Sequence, residues 1–158
     1  MIGKNSVISF EAFQLLKEKK GRLLGFDVGK KTLGVALSDT RWSIATPGIT
    51  LRREKIPTMV THLKAYIDQE HVVGLVVGLP KNLDGNVGPM AKSVLDFIAA
   101  FKGFIPYPFL FWDERFTTQF AERSLQITQA HRKHEKIDAV AAALILQSFL
   151  DYCVYQSH

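Results

Sequence analysis

Three carboxylates stand where folding alone gives little reason for one: Asp27, Asp138 and one member of the adjacent pair Asp113 and Glu114. In GFDVGKKTLGVALSD, residues 25–39, strand alternation puts Leu24, Phe26 and Val28 on one apolar face and Asp27 on the other, beside Gly25 and Gly29. The two glycines clear that face of side chains, so something large has room to approach Asp27. A buried carboxylate without a partner is costly; it shifts its pKa, finds a cation, or bonds the turn at Lys30 and Lys31 or a backbone amide.

The second acid follows the apolar run YPFLFW, in WDERFTT. Ligands of open α/β sheets gather at the carboxyl ends of the strands, which singles out this stretch. Alternation sends Asp113 and Glu114 in opposite directions, so only one can face Asp27; the plainer alternative is a salt-bridged surface turn. In KIDAVAAALIL the third acid, Asp138, shares a helical face with Ala141, Ala142 and Ile145, although a carboxylate in a first helical turn also interacts with the helix dipole. Three hard oxygen donors without a His or Cys cluster favour Mg²⁺ or Mn²⁺. Two such ions about 4 Å apart activate a water and stabilise the leaving oxygen in phosphodiester hydrolysis. On that scheme Asp27 bridges the ions, Glu114 and Asp138 complete the ligand set, and Arg115 or Lys31 steadies a phosphate.

The elements that must bring these residues together follow from hydrophobic period. Phe10, Phe13 and Leu16 recur at helical spacing after Ser9, so residues 1–20 form an extension with a short amphipathic helix, ahead of one domain over 21–155. RLLGFDV and LGVALSD read as a hairpin through the GKKT turn, and WSIATPGITLR as a third strand that Pro47 and Gly48 mark as an edge or a bulge. Ile56, Val60, Leu63 and Ile67 then trace a helix entered at Pro57, and HVVGLVVGLP is a strand buried on both faces. The loop KNLDGNVGP leads through Pro89 into a helix with Val94, Phe97, Ile98 and Phe101 inward. YPFLFW is strand five, a further helix covers about 119–128, TQAHRKHE is a loop, and IDAVAAALILQSFLDY is the last helix. The order βββαβαβα gives a mixed five-stranded α/β sheet with helices on both faces and the Asp27 strand at its centre.

Composition bounds the rest. The chain has 158 residues, 47% of them hydrophobic, which suits one domain, and no uninterrupted apolar run approaches the roughly 18 residues of a membrane span. The start carries no secretory-signal pattern, so a soluble, cytoplasmic chain is expected. Cys153 is the single cysteine and serves packing. A net charge of +5 permits a polyanionic partner, with one basic cluster at Lys17, Lys19, Lys20 and Arg22 and another at Arg115, Arg123, Arg132, Lys133 and Lys136, joined by His131 and His134. Asp84, Gly85, Gly88 and Pro89 set the geometry of a turn whose following helix offers free amides to a phosphate.

GFDVGKKTLGVALSD, VVGLPKNLDGNVGPMAKSV, WDERFTT and KIDAVAAALILQSFL, in this order, resemble the four signature segments of the YqgF/RuvX family over about residues 22–152. The resemblance implies a ribonuclease H-like fold and a divalent-metal-dependent nuclease assigned to 5′-end maturation of pre-16S rRNA, a step of ribosome biogenesis, and also described as a Holliday junction resolvase of DNA recombination. It implies Asp27, Glu114 and Asp138 as catalytic and metal-binding residues. Lys30, Lys31, Arg115, Arg132, Lys133 and Lys136 are then expected to hold the nucleic acid, structured RNA or branched DNA, with Gly25, Gly29, Asp84, Gly85 and Gly88 supporting turn geometry. A catalytically silent nucleic-acid-binding factor is the alternative that the charge clusters also allow. The DVG stretch is similar to the phosphate hairpin of actin-like ATPases as well, but those need two such domains.

Overall fold

The computed structural model describes residues 8–82, 84–114 and 137–156. The helix read over 119–128, the TQAHRKHE loop and the basic residues Arg115, Arg123, Arg132, Lys133 and Lys136 lie outside them.

Strands β1 (Arg22–Val28), β2 (Thr32–Ser38), β3 (Ala45–Arg52), β4 (Val72–Leu79) and β5 (Phe109–Asp113) form one sheet in the order β3-β2-β1-β4-β5. β1 is central, antiparallel to β2 and parallel to β4, and β4 is parallel to β5. β3 is an edge strand whose pairing with β2 slips between Gly34 and Ala36, opposite the Pro47 and Gly48 stretch. A proline cannot donate to the ladder, so it sits at the edge, where no second neighbour needs that donor.

Helices α2 (Ile56–Glu70) and α3 (Pro89–Phe101) cover one face of the sheet. Leu24, Phe26, Leu33, Val35, Leu75, Val77 and Phe109 meet Leu63, Ile67, Val94, Phe97 and Phe101 there. Both helices begin with proline in the first turn, where its missing N–H costs no hydrogen bond. The other face carries α1 (Phe10–Gln14), a 3₁₀ turn over Leu15–Lys19, and the last helix, α4 (Ile137–Gln156). Ser9 caps α1 by accepting the Ala12 N–H at 3.2 Å, and Phe13 and Leu16 are buried with Leu23, Val76 and Phe149. The extension thus contributes to the second core.

α4 is long and apolar enough in composition to span a bilayer, which a search for uninterrupted apolar runs misses. Its apolar side chains instead pack on the sheet: Ala139, Ala142, Ile145, Leu146, Phe149 and Leu150 are all buried. Polar contacts fix its position along the strands. The Gln147 side chain accepts the Ala45 N–H at 2.8 Å and donates to the Ser43 carbonyl at 3.1 Å, while the Trp112 indole donates to the Ser148 hydroxyl at 3.1 Å. A helix anchored this way holds its first turn, and therefore Asp138, in a defined place above β1 and β2.

Candidate active site

Parity along the strands decides which acids meet. On β1, Leu24 and Phe26 enter the core under α2 and α3, so Leu23, Gly25 and Asp27 face α4. On β5, Leu110 and Trp112 face α4, and the alternation carries Glu114 to that side and Asp113 to the opposite one. Register brings the levels together, because Phe26 pairs with Val77 and Gly78 with Trp112. Glu114 consequently lies over Gly78: a methyl group there would stand 2.6 Å from Glu114 Oε1 and 2.6 Å from Ile145 Cδ1. Asp138 comes from above, in the first turn of α4.

Two of the three acids carry raised carboxyls. Burial, and then the charge of Asp138, push the Asp27 carboxyl up to about 6. Burial, then Asp27 and then Asp113, push Glu114 up to about 7. No hydrogen bond from the described residues reaches the Asp27 carboxylate to offset these effects. Asp138 is held differently, accepting the Thr32 hydroxyl proton at Oδ2 over 2.7 Å. Buried carboxylates whose charged forms are disfavoured, as at Asp27 and Glu114, gain from an added positive charge.

The donor chemistry fits a hard divalent cation: three carboxylates on one side of the sheet, two of them, Asp27 and Glu114, disfavoured as anions by burial and then by a neighbouring acid. The spacing is not that of a closed cage. Among the described residues no group of three or more His, Cys, Asp or Glu side chains is close enough to hold one ion. The acids instead act as two linked pairs, Asp138 with Asp27 and Asp27 with Glu114.

Lys30 and Lys31 are exposed in the turn that follows β1, closed by the Gly29 N–H donating to the Thr32 carbonyl at 2.9 Å. Arg53 braces that turn, its backbone N–H donating to the Lys31 carbonyl at 2.8 Å and its guanidinium to the Gly29 carbonyl at 2.6 Å. The same guanidinium lies 4.3 Å from the centre of the Phe97 ring, a cation–π contact. In the loop after β4, Asp84 accepts the Asn86 backbone N–H at 2.9 Å and its side-chain amide at 3.0 Å, shaping its own turn.

Gly29 and Gly85 serve turns as expected, whereas Gly25 lies inside β1. Of Gly25, Gly29, Gly85 and Gly88, Gly85 alone uses the left-handed region, at φ 88°. Gly88 is extended, and a methyl group there would press on Asn82. Gly25 serves no turn and opens no path for a substrate. A methyl group on it would stand 2.8 Å from Leu146 Cβ, so its missing side chain admits α4. Gly34 does the same for the main chain of Asp138, and Gly78 for Glu114. Thr32, Gly34, Arg53 and Gly78 escape a reading of the sequence for charged groups, although a glycine inside a strand is itself a signal of close approach.

A cleft of about 670 Å³ opens at the other end of the sheet among Leu15, Lys19, Ile67, His71 and Tyr107. None of the three acids lines it.

Comparison with known proteins agrees with the fold. The family model described as RuvX, Holliday junction resolvase, matches residues 21–152. The chain is 46% identical over 143 residues to a protein of Cereibacter sphaeroides (strain KD131), covering 89% of each. It is 43% identical over 143 residues to one of Zymomonas mobilis subsp. mobilis, covering 88% of this chain and 86% of that one. Both relatives carry the name "Putative pre-16S rRNA nuclease". Among solved structures, Thermus thermophilus RuvC in complex with a Holliday junction substrate superposes with a TM-score of 0.52 at 16% identity, over 85% of this chain and 96% of that one. That likeness is one of fold, and it bears out the ribonuclease H-like architecture.

Proposed function

The chain belongs to the RuvX family, and from that premise we propose that it is a divalent-metal-dependent endonuclease acting on the 5′ end of pre-16S rRNA. One observation carries the reading: Asp27, Glu114 and Asp138 come from three distant segments to the same side of the sheet, where burial and then the charge of Asp138 raise Asp27, and burial and then the charge of Asp27 raise Glu114. The names of the relatives supply the substrate.

Asp27, on the central strand, would hold Mg²⁺ or Mn²⁺ with Glu114, which lies over Gly78, and with Asp138, as two pairs rather than one cage of three. When bound, such an ion polarises the scissile phosphate and lowers the pKa of the attacking water. The protein residues orient the reactants around it. The rigid β1–β2 turn presents Lys30 and Lys31 to backbone phosphates, close enough in sequence to Asp27 to register the cut. Burial of the acids under α4 lowers the local dielectric and strengthens each of these electrostatic contacts.

The family description favours a second substrate, the four-way DNA junction. A direct comparison decides: 5′-extended 16S rRNA precursor and a four-way junction, each incubated with Mg²⁺ or Mn²⁺ and wild-type protein. Cleavage of the precursor alone supports the reading, cleavage of the junction alone transfers it to DNA, and binding of either without cleavage makes the protein a silent nucleic-acid-binding factor.

A further inference from the structure

β2 contributes no acid, yet it touches Asp138 at two points. The main chain of Asp138 is seated on Gly34, where a methyl group would overlap its carbonyl oxygen. Its carboxylate accepts the Thr32 hydroxyl proton at 2.7 Å, a bond spanning 106 residues of sequence. We infer that Thr32 is a positioning residue, which fixes the Asp138 carboxylate in the orientation that the proposed centre uses; the inference rests on the nuclease reading above.

The backbone of Thr32 is itself fixed. It is the first residue of β2, and its carbonyl accepts the Gly29 N–H at 2.9 Å. The preceding residue is tied to the end of β3 through the Arg53 N–H. A β-branched side chain on a fixed backbone has few χ1 choices, so the hydroxyl occupies a defined point. An aspartate in the first turn of a helix is otherwise free to swing back and cap its own amides, or out into water. The Thr32 bond selects one orientation and engages one carboxylate oxygen, leaving the other to the site. The donor is also neutral. A lysine or arginine at this position would hold the carboxylate equally well but would cancel its charge and compete with a cation, whereas a hydroxyl orients Asp138 and leaves its charge available.

Groups that orient metal ligands through hydrogen bonds typically contribute about 10–100-fold to affinity or activity. Thr32→Val keeps the shape and removes the donor; Thr32→Ser keeps the donor. Four readouts separate positioning from packing: the thermal midpoint, Mn²⁺ affinity by calorimetry, the split of kcat against KM on the RNA precursor, and the Asp138 rotamer in a crystal structure of each variant. Thr32→Val is expected to fold, to turn the Asp138 carboxylate away, and to lose at least about tenfold in Mn²⁺ affinity and kcat with KM unchanged. Thr32→Ser is expected to restore all three. Thr32→Ala removes the donor without a second methyl group and is expected to show the same losses, so it replaces the valine variant if that one is unstable. The inference is overturned if the variants lacking the donor keep the wild-type Asp138 rotamer and Mn²⁺ affinity. Wild-type protein that neither binds Mn²⁺ nor cleaves refutes the nuclease reading separately, and the rotamer still decides whether Thr32 sets Asp138.

Discussion

Gly34 and Asp138 are packed main chain to main chain, so closely that a methyl group on Gly34 would overlap the Asp138 carbonyl oxygen and lie 2.5 Å from its carbonyl carbon. Backbone cannot step aside as a flexible side chain can. Gly34→Ala must therefore lift the first turn of α4 from β2, breaking the Thr32 bond and moving Asp138. Overpacking of this kind costs about 1–3 kcal/mol, and a larger loss of cleavage than of stability is expected. Chemical denaturation beside single-turnover cleavage measures both; an alanine variant with wild-type activity would show that α4 need not sit where it does.

The raised carboxyls make stability depend on pH, and the sign follows from proton counting. Asp27 at about 6 and Glu114 at about 7 hold protons in the folded protein that the unfolded chain, with ordinary values of 3.8 and 4.5, has already released. Between those limits the folded state binds more protons, so stability falls as pH rises and levels off above the Glu114 value. Asp27→Asn removes a buried charge and its repulsion with Asp138 and should flatten the slope, stabilising the metal-free protein on the alkaline side by on the order of 2 kcal/mol. Mn²⁺ should oppose the loss in the wild type, which offers it charged ligands there, and do little for the variant. Thermal midpoints over the pH range, with and without Mn²⁺, check this; an asparagine variant less stable at alkaline pH than the wild type would contradict it.

Arg53 ties three features together: the turn bearing Lys30 and Lys31, the end of β3, and the Phe97 ring on α3. Arg53→Ala leaves the acids untouched but releases the Gly29 carbonyl and the stacked ring. A loss of about 1–2 kcal/mol in stability is expected from one charged hydrogen bond and one cation–π contact. Because the turn bearing the two lysines then loses the side-chain part of its brace and keeps only the backbone bond to Lys31, KM for the nucleic acid should rise while kcat stays nearly constant. A fall in kcat at constant KM would instead place Arg53 in the reaction itself.

Much of this architecture is legible in residue periodicity. The continuous apolar run of β4, the β1–β2 hairpin and the prolines that open α2 and α3 each have one local solution, and the structure adopts it. Alternation alone poses the competition between Asp113 and Glu114, but deciding it takes knowing that Leu110 and Trp112 pack against α4. The strand glycines signal a close approach without saying of what. Gly25 reads as clearing a path for a substrate, whereas the object that approaches is α4, a contact between segments over a hundred residues apart that no local pattern reports. Thr32 carries no signal at all, since a threonine at a strand start is ordinary until the partner across the fold is known. The expected phosphate contacts at Arg115, Arg132, Lys133 and Lys136 lie outside the described residues.

Asp27, Glu114 and Asp138 are the residues proposed to do the chemistry, and Asp113, on the other side of β5, is not. Single-turnover cleavage of the 16S rRNA precursor by Asp27→Asn, Glu114→Gln, Asp138→Asn and Asp113→Asn, with folding checked for each, tests that assignment most directly. The first three are predicted to lose at least about a hundredfold in rate while retaining RNA binding, and Asp113→Asn to stay within a few-fold of wild type. Wild-type rates for Asp27→Asn, or loss of activity in Asp113→Asn with Glu114→Gln active, would contradict the account.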